Sequence, residues 1–336
     1  MASLDSLVVI GASHGGLSVL KTILSALPKD FPAPVLVAMH VGAYNSRLPA
    51  LLQAVSPMPV KHACEGDALE PGVVLVAPPD QHMLINGHQI RLVRGAKENY
   101  SRPAVDPLFR SAAIAHRERV IGVVLSGDLD DGTVGLQAIK ACGGIVIIQD
   151  PDDAVAPSMP SSALRYVEWD ACLKSEEIAQ RLLTLVDQIQ PAAGAPTPAM
   201  VLENKSSMGD LTPIDELDQV ARRSPFTCPE CHGVLWEMDT APLRYRCHTG
   251  HAYGALSIHA SQDTNIEELL WAAVRAFHEK EALMLRQHES AGSSGPTGRA
   301  HEYKLMAMQA RANADSLRQL LHSVSADAAV SRPDKK

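Results

Sequence analysis

Short runs of consecutive apolar residues alternate with longer amphipathic segments over the first 190 residues. These runs are rich in β-branched residues, and each is too short to be a helix. Such runs are typical of parallel strands that are buried on both faces. The alternation predicts an α/β domain over residues 1–190, with a doubly wound, mostly parallel sheet in a Rossmann-like three-layer arrangement. The predicted strands are Leu7–Ile10, Val35–Met39, Val73–Ala77, Val120–Leu125 and Gly144–Ile148.

A second pattern within this domain predicts a β-hairpin over Met83–Val93. Two apolar stretches, Leu84-Ile85 and Ile90–Val93, flank the sequence Asn86-Gly87-His88. An Asn-Gly pair between two short strands is a strong signal for a tight hairpin turn.

The patterning changes after residue 190. Residues 191–224 begin with a segment rich in proline and alanine and are predicted to be a linker. A Cys/His module is predicted over residues 225–260, followed by a helical hairpin over residues 261–326 and a frayed tail over residues 327–336. The hairpin consists of two segments with an apolar side, Thr264–Glu289 and Arg299–Val324, joined by a loop rich in glycine and serine.

Charge and hydropathy exclude several classes of protein. The net charge of −8 argues against a general nucleic-acid binder, because such a protein needs a surplus of basic residues to neutralise phosphates. The sequence starts without the basic region of a signal peptide, and no apolar stretch reaches the roughly 18–20 residues of a membrane span. We therefore predict a soluble, cytoplasmic protein that is not inserted in a membrane.

Three residues with catalytic potential stand at or just after the ends of predicted parallel strands. Ser13 lies in the glycine-rich turn Gly11–Gly16, His40 ends the second predicted strand, and Asp131 follows the strand Val120–Leu125. The carboxyl ends of parallel strands meet at one edge of a sheet, so these side chains can converge there. The sequence thus indicates a Ser-His-Asp triad with a nucleophile, a general base and an orienting carboxylate.

Each member of this set also has an ordinary interpretation. The serine turn resembles a glycine-rich phosphate loop, a histidine at a strand end can be structural, and Asp131 precedes a glycine as in many turns. An NAD-binding turn is a further interpretation of this stretch, but the fingerprint Gly-x-Gly-x-x-Gly is absent and no clear acidic residue ends the next strand. The chain order Ser-His-Asp also differs from the Ser-Asp-His order of the α/β-hydrolases. The triad hypothesis rests on all three residues occurring together in this topology.

Further motifs follow one another in order along residues 5–190. They are Ile10–Gly16, Met39-His40, Pro71-Gly72, Ala77–Met83, Arg102–Phe109, Val123–Gly132 and Met159-Pro160. With these motifs the sequence resembles the catalytic domain of the chemotaxis protein-glutamate methylesterases, the CheB family. The resemblance implies that Ser13 is the nucleophile, His40 the base and Asp131 its orienting acid. It also implies hydrolysis of glutamate γ-methyl esters on chemoreceptors, with deamidation of receptor glutamines as a second activity.

The same resemblance implies roles for residues around the triad. Catalysis of this type uses no cofactor, and backbone N–H groups near His14 and Asp128 are candidates for the oxyanion site. Arg102 is a candidate for holding the acidic receptor surface, although an arginine before a proline can also be structural. His82 is a candidate for lining the site. Asp106 opens a predicted helix and is interpreted as its N-cap.

Two departures from the family pattern bear on function. His14 stands where the family often has threonine, and the loop Gly127–Gly132 has Leu129 where the family commonly has glycine, with extra carboxylates beside it. A positive φ at that place is harder for leucine than for glycine. These departures keep two alternatives open: a serine hydrolase of the same fold with another ester or amide substrate, and a non-catalytic signalling adaptor.

The position of the serine turn carries a further expectation about domain organisation. The turn begins at residue 11, whereas the familiar enzyme of this family carries an N-terminal receiver domain before its catalytic domain. The resemblance therefore predicts an enzyme without a receiver domain and without control by phosphorylation within the chain.

The Cys/His module has the spacing of a metal site. Cys228 and Cys231 form one ligand pair, and Cys247 and His251 form a second pair after residues 232–246. This arrangement predicts a closed, structural Zn²⁺ site of the zinc-ribbon type. His251 is favoured as the fourth ligand over His248 and His232, because it completes a Cys-x-x-x-His turn. The alternative is a redox-active or metal-free turn.

Overall fold

The computed structural model describes residues 6–187, 194–210, 212–294 and 297–330. The chain divides into two compact units, of which the first ends at Ile258 and the second begins at His259. Among the described residues, no helix combines the length and the apolar character needed to cross a membrane. The predicted frayed tail falls partly outside the described residues, as does the start of the predicted linker.

The described residues form strands and helices in the following order. The strands are β1 (Leu7–Ala12), β2 (Val35–Met39), β3 (Val60–His62), β4 (Val74–Val76), β5 (His82–Asn86), β6 (Gln89–Val93), β7 (Val120–Val124), β8 (Ile145–Gln149), β9 (Ala171–Leu173), β10 (Arg222–Thr227), β11 (Val234–Thr240), β12 (Leu243–Cys247) and β13 (Ala252–Gly254). The helices are α1 (Gly16–Ala26), α2 (Leu48–Gln53), α3 (Val105–His116), α4 (Thr133–Ala141), α5 (Ser158–Tyr166), α6 (Ser175–Leu185), α7 (Pro198–Ser207), α8 (Ile214–Val220), α9 (Ala255–Ser294) and α10 (Thr297–Val330), with a 3₁₀ turn at Arg117–Arg119.

A seven-stranded sheet organises the first unit. Its strand order is β3-β4-β2-β1-β7-β8-β9, and every neighbouring pair is parallel. This sheet confirms the predicted doubly wound α/β fold. The predicted strands all form, whereas the sequence reading missed β3 and β9. Both are only three residues long and lie at the sheet edges, so the run of apolar residues is interrupted by Lys61 in β3 and is too short to recognise in β9.

Alternate residues of the central strands fill two separate cores. Leu7 and Val9 of β1 pack in a cluster with Phe109 of α3, while Val8 and Ile10 pack on the other face with residues of α1 and α6. All six residues of β1 are buried. Burial on both faces explains why the strand reads as an unbroken apolar run.

The hairpin predicted over Met83–Val93 is present as β5 and β6. The strands are antiparallel, and the pair formed by Asn86 and Gln89 closes a turn of two residues. Gly87 in that turn has a φ of 61°, which a residue without a Cβ adopts easily. The ring Nε2 of His116, at the end of α3, lies 2.9 Å from the Gly87 carbonyl and so ties the turn to the domain.

Residues 191–224, expected to be a linker, contain the helices α7 and α8. They lead into a four-stranded antiparallel sheet in the order β10-β11-β12-β13, which forms the body of the Cys/His module. Glu203, Ser206 and Ser207 of α7 are buried. Polar residues at buried positions gave the sequence no apolar pattern to recognise.

The second unit contains most of α9 and the whole of α10, consistent with the predicted helical hairpin. Arg311 of α10 pairs with Glu281 of α9, and the Ala300 carbonyl contacts His288, as expected for antiparallel helices. The buried residues of α10 recur with the three- and four-residue spacing of a coiled coil. They are mostly alanines, namely Ala300, Ala307, Ala310 and Ala314, together with Leu321.

The apolar side assigned to the hairpin from the sequence is largely exposed. Leu269 and Leu283 of α9 and Leu305 and Met308 of α10 are each more than half exposed. The alanines escaped notice in the sequence because a short side chain contributes little to a hydropathy pattern. They allow two helices to approach closely without large core residues.

A buried network of ion pairs connects the Cys/His module to the α/β domain within the first unit. Glu98, in the loop before α3, contacts Arg110 of α3 at 2.8 Å and Arg246 of β12 at 2.9 Å. Glu203 of α7 contacts the same two arginines, each at 3.3 Å, and also binds Arg244 of β12. Two carboxylates thus share three guanidinium groups.

The charges of this network stabilise one another. Burial by itself would raise the pKa of Glu98, but Arg110 and Arg246 reverse this effect and hold it well below its usual value. The pKa of Glu203 is lowered in the same way against its burial, chiefly by Arg244 and Arg246. Removal of one partner from such a buried set leaves an uncompensated charge and is strongly destabilising.

We predict that Glu203→Ala lowers the free energy of unfolding by about 3–5 kcal/mol, because three arginines then face a single carboxylate. Chemical denaturation of the two proteins measures the difference. Lys61→Ala is the matched control, since it breaks an ion pair with Asp67 in which Lys61 is exposed, and it should change stability little. A loss in Glu203→Ala no larger than in the control would contradict this view of the network.

Candidate active site

The turn that carries Ser13 has no space for larger residues. Gly15 has a φ of 78° and precedes α1, and a Cβ on it would lie 2.6 Å from the Ser126 hydroxyl. A Cβ on Gly127 would lie 2.8 Å from the Cβ of Ser13. The Ser13 N–H donates to the Ser126 carbonyl at 2.9 Å. These close approaches explain the glycines of the motif and place the Ser13 hydroxyl at the carboxyl edge of the sheet, against the start of α1.

The structure brings the three predicted triad residues into one hydrogen-bonded chain. His40 Nδ1 lies 3.1 Å from Ser13 Oγ, and His40 Nε2 lies 2.6 Å from Asp131 Oδ2. The side chain of His40 is 19% exposed and that of Asp131 is 1% exposed. A hydroxyl, an imidazole and a buried carboxylate in this order have the connectivity of a serine nucleophile with its general base.

Backbone donors at the start of α3 hold Asp131. Its Oδ2 accepts from the N–H of Val105 at 2.8 Å, and its Oδ1 accepts from the N–H of Asp106 at 3.1 Å. Oδ1 also accepts from Gly132 N at 2.9 Å and from Asn99 Nδ2 at 3.2 Å. Asp131 therefore caps α3 from a distant part of the chain, and the helix N-terminus favours its negative charge.

Asp106 caps α4 in return. Its Oδ1 accepts from Gly132 N at 3.0 Å and from Gly135 N at 2.7 Å. The expected role of Asp106 as the N-cap of its own helix is therefore wrong. The N-cap of α3 is Ala104, which provides no side-chain bond. Asp131 thus caps α3, and Asp106, which lies in α3, caps α4. These reciprocal contacts fix the starts of both helices beside the triad.

The two aspartates differ in charge behaviour. Burial would raise the pKa of Asp131, but the hydrogen bond and positive charge of His40, with the N–H groups of α3, lower it below its usual value. Burial raises the pKa of Asp106, and the charge of Asp131 adds to this effect. Asp131 is thus the member of the pair that carries the negative charge needed beside His40.

His14 and Asp128, the candidates for the oxyanion region, face each other at the opening of the site. Their side chains are both more than half exposed and lie 3.2 Å apart, from Nδ1 to Oδ2. This contact joins the turn after β1 to the loop after β7. His14 follows Ser13 directly, and Asp128 follows Gly127, on which a Cβ would lie 2.8 Å from the Cβ of Ser13.

Arg102 and His82 do not face the opening of the site. The Arg102 guanidinium binds the Asp80 carboxylate and the Gly95 carbonyl. His82 is buried, with Nε2 2.9 Å from the Ala96 carbonyl, and burial lowers the pKa of its ring. Both side chains hold the segment before α3 in place. This position differs from the receptor contact expected for Arg102 and from the site-lining role expected for His82.

Leu129 stands where the family commonly has glycine, and it adopts the left-handed conformation that is harder for leucine than for glycine. Its φ is 64°, which costs an L-residue roughly 1–2 kcal/mol. Its carbonyl accepts from the Ser158 hydroxyl at 2.9 Å, and this bond helps to hold the loop. The loop that carries Asp131 is therefore strained at a single residue two positions before it.

Asp130 points away from Ser13 and toward the Cys/His module. It is buried, and its Oδ1 accepts from the Ser257 hydroxyl at 3.2 Å. Burial raises its pKa to about 6, against the opposing hydrogen bond from Ser257. From the sequence, this extra carboxylate was expected to reduce catalysis only if it pointed toward the oxyanion. The contact with Ser257 was missed, because only the tertiary structure brings the two segments together.

The four predicted metal ligands converge. One ligand atom from each of Cys228, Cys231, Cys247 and His251 can be chosen so that all lie within 4.8 Å of one another. Nδ1 of His251 faces the sulfurs of Cys228 and Cys247 at 3.6 and 3.5 Å. These residues could hold a metal ion, and three thiolates with one imidazole are a donor set suited to Zn²⁺.

Two further contacts distinguish the histidines. Nε2 of His251 lies 3.4 Å from a carboxylate oxygen of Glu230, an arrangement that commonly orients a metal-binding histidine. The ring of His248 instead lies edge-on to Trp236, with 6.5 Å between the ring centroids. The geometry therefore favours His251 as the fourth ligand.

A parallel α/β sheet with a Ser-His-Asp chain at its carboxyl edge defines the class of this protein as an α/β protein with the site of a serine hydrolase. The sequence profile of a family described as CheB methylesterase matches residues 8–182. The chain belongs to this family.

Curated relatives agree with the assignment over the α/β domain. A Leptospira interrogans protein, named for methylesterase and glutaminase activities on protein glutamate and glutamine, is 37% identical over 180 residues, which are 53% of this chain and 93% of the relative. The "Protein-glutamate methylesterase/protein-glutamine glutaminase" of Moorella thermoacetica is 37% identical over 185 residues, which are 53% of this chain and 44% of the relative.

A solved structure matches the same part of the chain. The crystal structure of the Thermotoga maritima CheB methylesterase catalytic domain superimposes with a TM-score of 0.52 at 36% sequence identity. The match covers 54% of this chain and 98% of the Thermotoga chain. The similarity therefore accounts for the α/β domain, which is about half of the chain.

We predict that Asp130→Asn stabilises the protein above pH 6 by about 2–3 kcal/mol and has no such effect below pH 4. The folded-state pKa of about 6 lies above the unfolded value. The wild-type protein therefore loses stability as the pH rises through this window, and the variant does not. Denaturation midpoints measured from pH 4 to pH 8 give the difference. The exposed Asp128→Asn serves as control, and parallel pH profiles for wild type and Asp130→Asn would contradict the prediction.

Proposed function

We propose that this chain is a protein-glutamate methylesterase that hydrolyses glutamate γ-methyl esters on chemoreceptors or related signalling proteins. The hydrogen-bonded chain of Ser13, His40 and Asp131 carries the proposal. The names of the relatives support the ester substrate and add glutamine deamidation as a second reaction. Both reactions release a small leaving group, methanol or ammonia, from the same side-chain acyl group.

The first half of the reaction follows from the geometry. His40 Nδ1 takes the proton of the Ser13 hydroxyl while Oγ attacks the ester carbonyl carbon. Asp131, held ionised by α3, accepts the Nε2 proton in a hydrogen bond and stabilises the imidazolium. The negative charge on the ester oxygen is stabilised by backbone N–H groups near His14 and Asp128, beside the N-terminus of α1.

The second half regenerates the enzyme. The imidazolium of His40 gives its proton to the departing methoxide. Methanol diffuses away, and the glutamyl group remains bound to Ser13 as an ester. Water then gives a proton to Nδ1 while its oxygen attacks the acyl carbon. The bond between this carbon and Ser13 Oγ breaks, Nδ1 returns the proton to Oγ, and a free glutamate and the Ser13 hydroxyl are formed. No step requires a cofactor.

The rim of the site suits a side chain presented by another protein. Ser13 is only half-buried, and Val155, which packs against Gly15 beside it, is 67% exposed. A methylated glutamate side chain can reach such a shallow site from a protein surface. We also propose that the protein is located in the cytoplasm, where it can reach the cytoplasmic parts of receptors.

We further propose that the Cys/His module binds one structural Zn²⁺ through Cys228, Cys231, Cys247 and His251. Four protein ligands leave no open position for a substrate, so this ion stabilises the module and takes no part in ester hydrolysis. The pairing of His251 with Glu230 supports the assignment.

The test of the esterase measures methanol released from a methylated chemoreceptor. Ser13→Ala should abolish release, because no other group in the site replaces the nucleophile. Ser18→Ala, which removes an exposed hydroxyl on α1, should retain it. No release by the wild-type protein would overturn the methylesterase proposal. Hydrolysis of small esters alone would favour another ester substrate, an outcome consistent with the unusual His14–Asp128 rim.

The test of the metal site measures zinc in protein purified under reducing conditions. We expect one Zn²⁺ per wild-type chain and a large loss in Cys247→Ser, because the ion loses a buried thiolate ligand. Cys64→Ser, which changes an exposed cysteine outside the module, should keep the metal. Wild-type protein without zinc, or equal zinc in Cys247→Ser, would contradict the proposal.

A further inference from the structure

A single side-chain amide connects the Cys/His module to Asp131. Nδ2 of Asn99 donates to Asp131 Oδ1 and to Asp106 Oδ2, each at 3.2 Å. Oδ1 of Asn99 accepts from Gly254 N at 2.9 Å and lies 3.4 Å from the hydroxyl of Ser257. Two acceptors on one side and two donors on the other leave only one orientation for the amide.

The turn between β13 and α9 fits closely against this amide. A Cβ added to Gly254 would lie 1.9 Å from a carboxylate oxygen of Asp130, so only glycine fits there. The Asn99 N–H also donates to the carbonyl of Ala252 in β13 at 2.8 Å. The module thus holds both the backbone and the side chain of Asn99.

We infer that Asn99 is a positioning residue for the Ser-His-Asp chain, and that the Gly254–Ser257 turn of the Cys/His module keeps it in position. Asn99 provides the side-chain donor to Oδ1 of Asp131, and the opposite oxygen, Oδ2, faces His40. The module is then part of the support of the active site. For its effect on turnover, this inference rests on the proposed esterase function.

The loss of the Asn99 donor has two physical consequences. The Asp131 carboxylate becomes more basic and its side chain rotates more freely, because the hydrogen bond from Asn99 that stabilises the charged carboxylate is gone. A more basic carboxylate binds the imidazolium of His40 more strongly and raises its pKa. The other charged or titratable groups near Asp131 and Asp106 are not substituted in the variants below, namely His82, Glu98, Asp106, Arg110 and Asp130. Asn99→Gly leaves the contact of Asp130 with Ser257 in place, whereas Gly254→Ala also changes the surroundings of Asp130.

Two substitutions test the contact from its two sides. Asn99→Gly removes the amide while glycine retains the φ of 49° that Asn99 adopts. Gly254→Ala forces the turn away from Asp130 and Asn99. The matched control is Gln137→Ala. The Gln137 amide also bridges the domain and the module, by donating to the carbonyls of Tyr166 and Ala241, but it makes no contact with Asp131.

The first measurement is the pKa of the His40 ring, followed by NMR on protein with labelled histidine and so independent of any substrate. We expect an increase of about half a unit or more in Asn99→Gly and in Gly254→Ala, and none in Gln137→Ala. The second measurement is turnover of methylated receptor. We expect kcat to fall on the order of tenfold with KM unchanged, because the base is displaced while binding is not.

An unchanged His40 pKa in folded Asn99→Gly would overturn the inference. So would a Gln137→Ala protein that behaves like Asn99→Gly, because the effect would then be general loosening of the module. If Gly254→Ala does not fold, Asn99→Gly decides alone. If the wild-type protein lacks esterase activity, the NMR titration still decides, so the two failures are distinguishable.

Discussion

The buried pairing of Glu98 and Glu203 with three arginines joins the Cys/His module to the α/β domain. None of these charges is stable inside the protein alone, because removing an ion from water costs several kcal/mol. They are stable only when the loop before α3, helix α7 and strand β12 are in place together. The network therefore couples the formation of the Cys/His module to that of the α/β domain, which accounts for their appearance as one compact unit.

The same contacts also hold the segments around the candidate active site in place. Asp131 caps α3, the helix that contains Asp106, and Asp106 caps α4, the helix that follows Asp131, so α3 and α4 fix the carboxylate beside His40. Asn99 follows Glu98 directly in sequence, so the same loop carries both the ion network and the amide that contacts Asp131. The Cys/His module is thereby connected to Asp131 through two adjacent residues, Glu98 and Asn99.

The sequence predicted the features that depend on apolar runs and strand ends. Buried parallel strands such as β1 were recognised, and Ser13, His40 and Asp131 were placed together because the carboxyl ends of such strands meet. Contacts between polar residues far apart in sequence could not be read in this way. Helix α7 packs through the buried polar residues Glu203 and Ser207 as well as through Leu202. The side chains of Arg102 and His82 bind the backbone carbonyls of Gly95 and Ala96. Asn99 carries no local signal of its contact with Asp131.

Because the buried charges join them, the α/β domain and the Cys/His module should form one cooperative unit around Asp131. Native-state hydrogen exchange in increasing denaturant measures this cooperativity most directly, by following amides of β12 in the module and of β1 and α3 in the domain. We expect these amides to merge into a single opening reaction with the global free energy of unfolding. Earlier and independent opening of β12, while β1 and α3 remain protected, would contradict it.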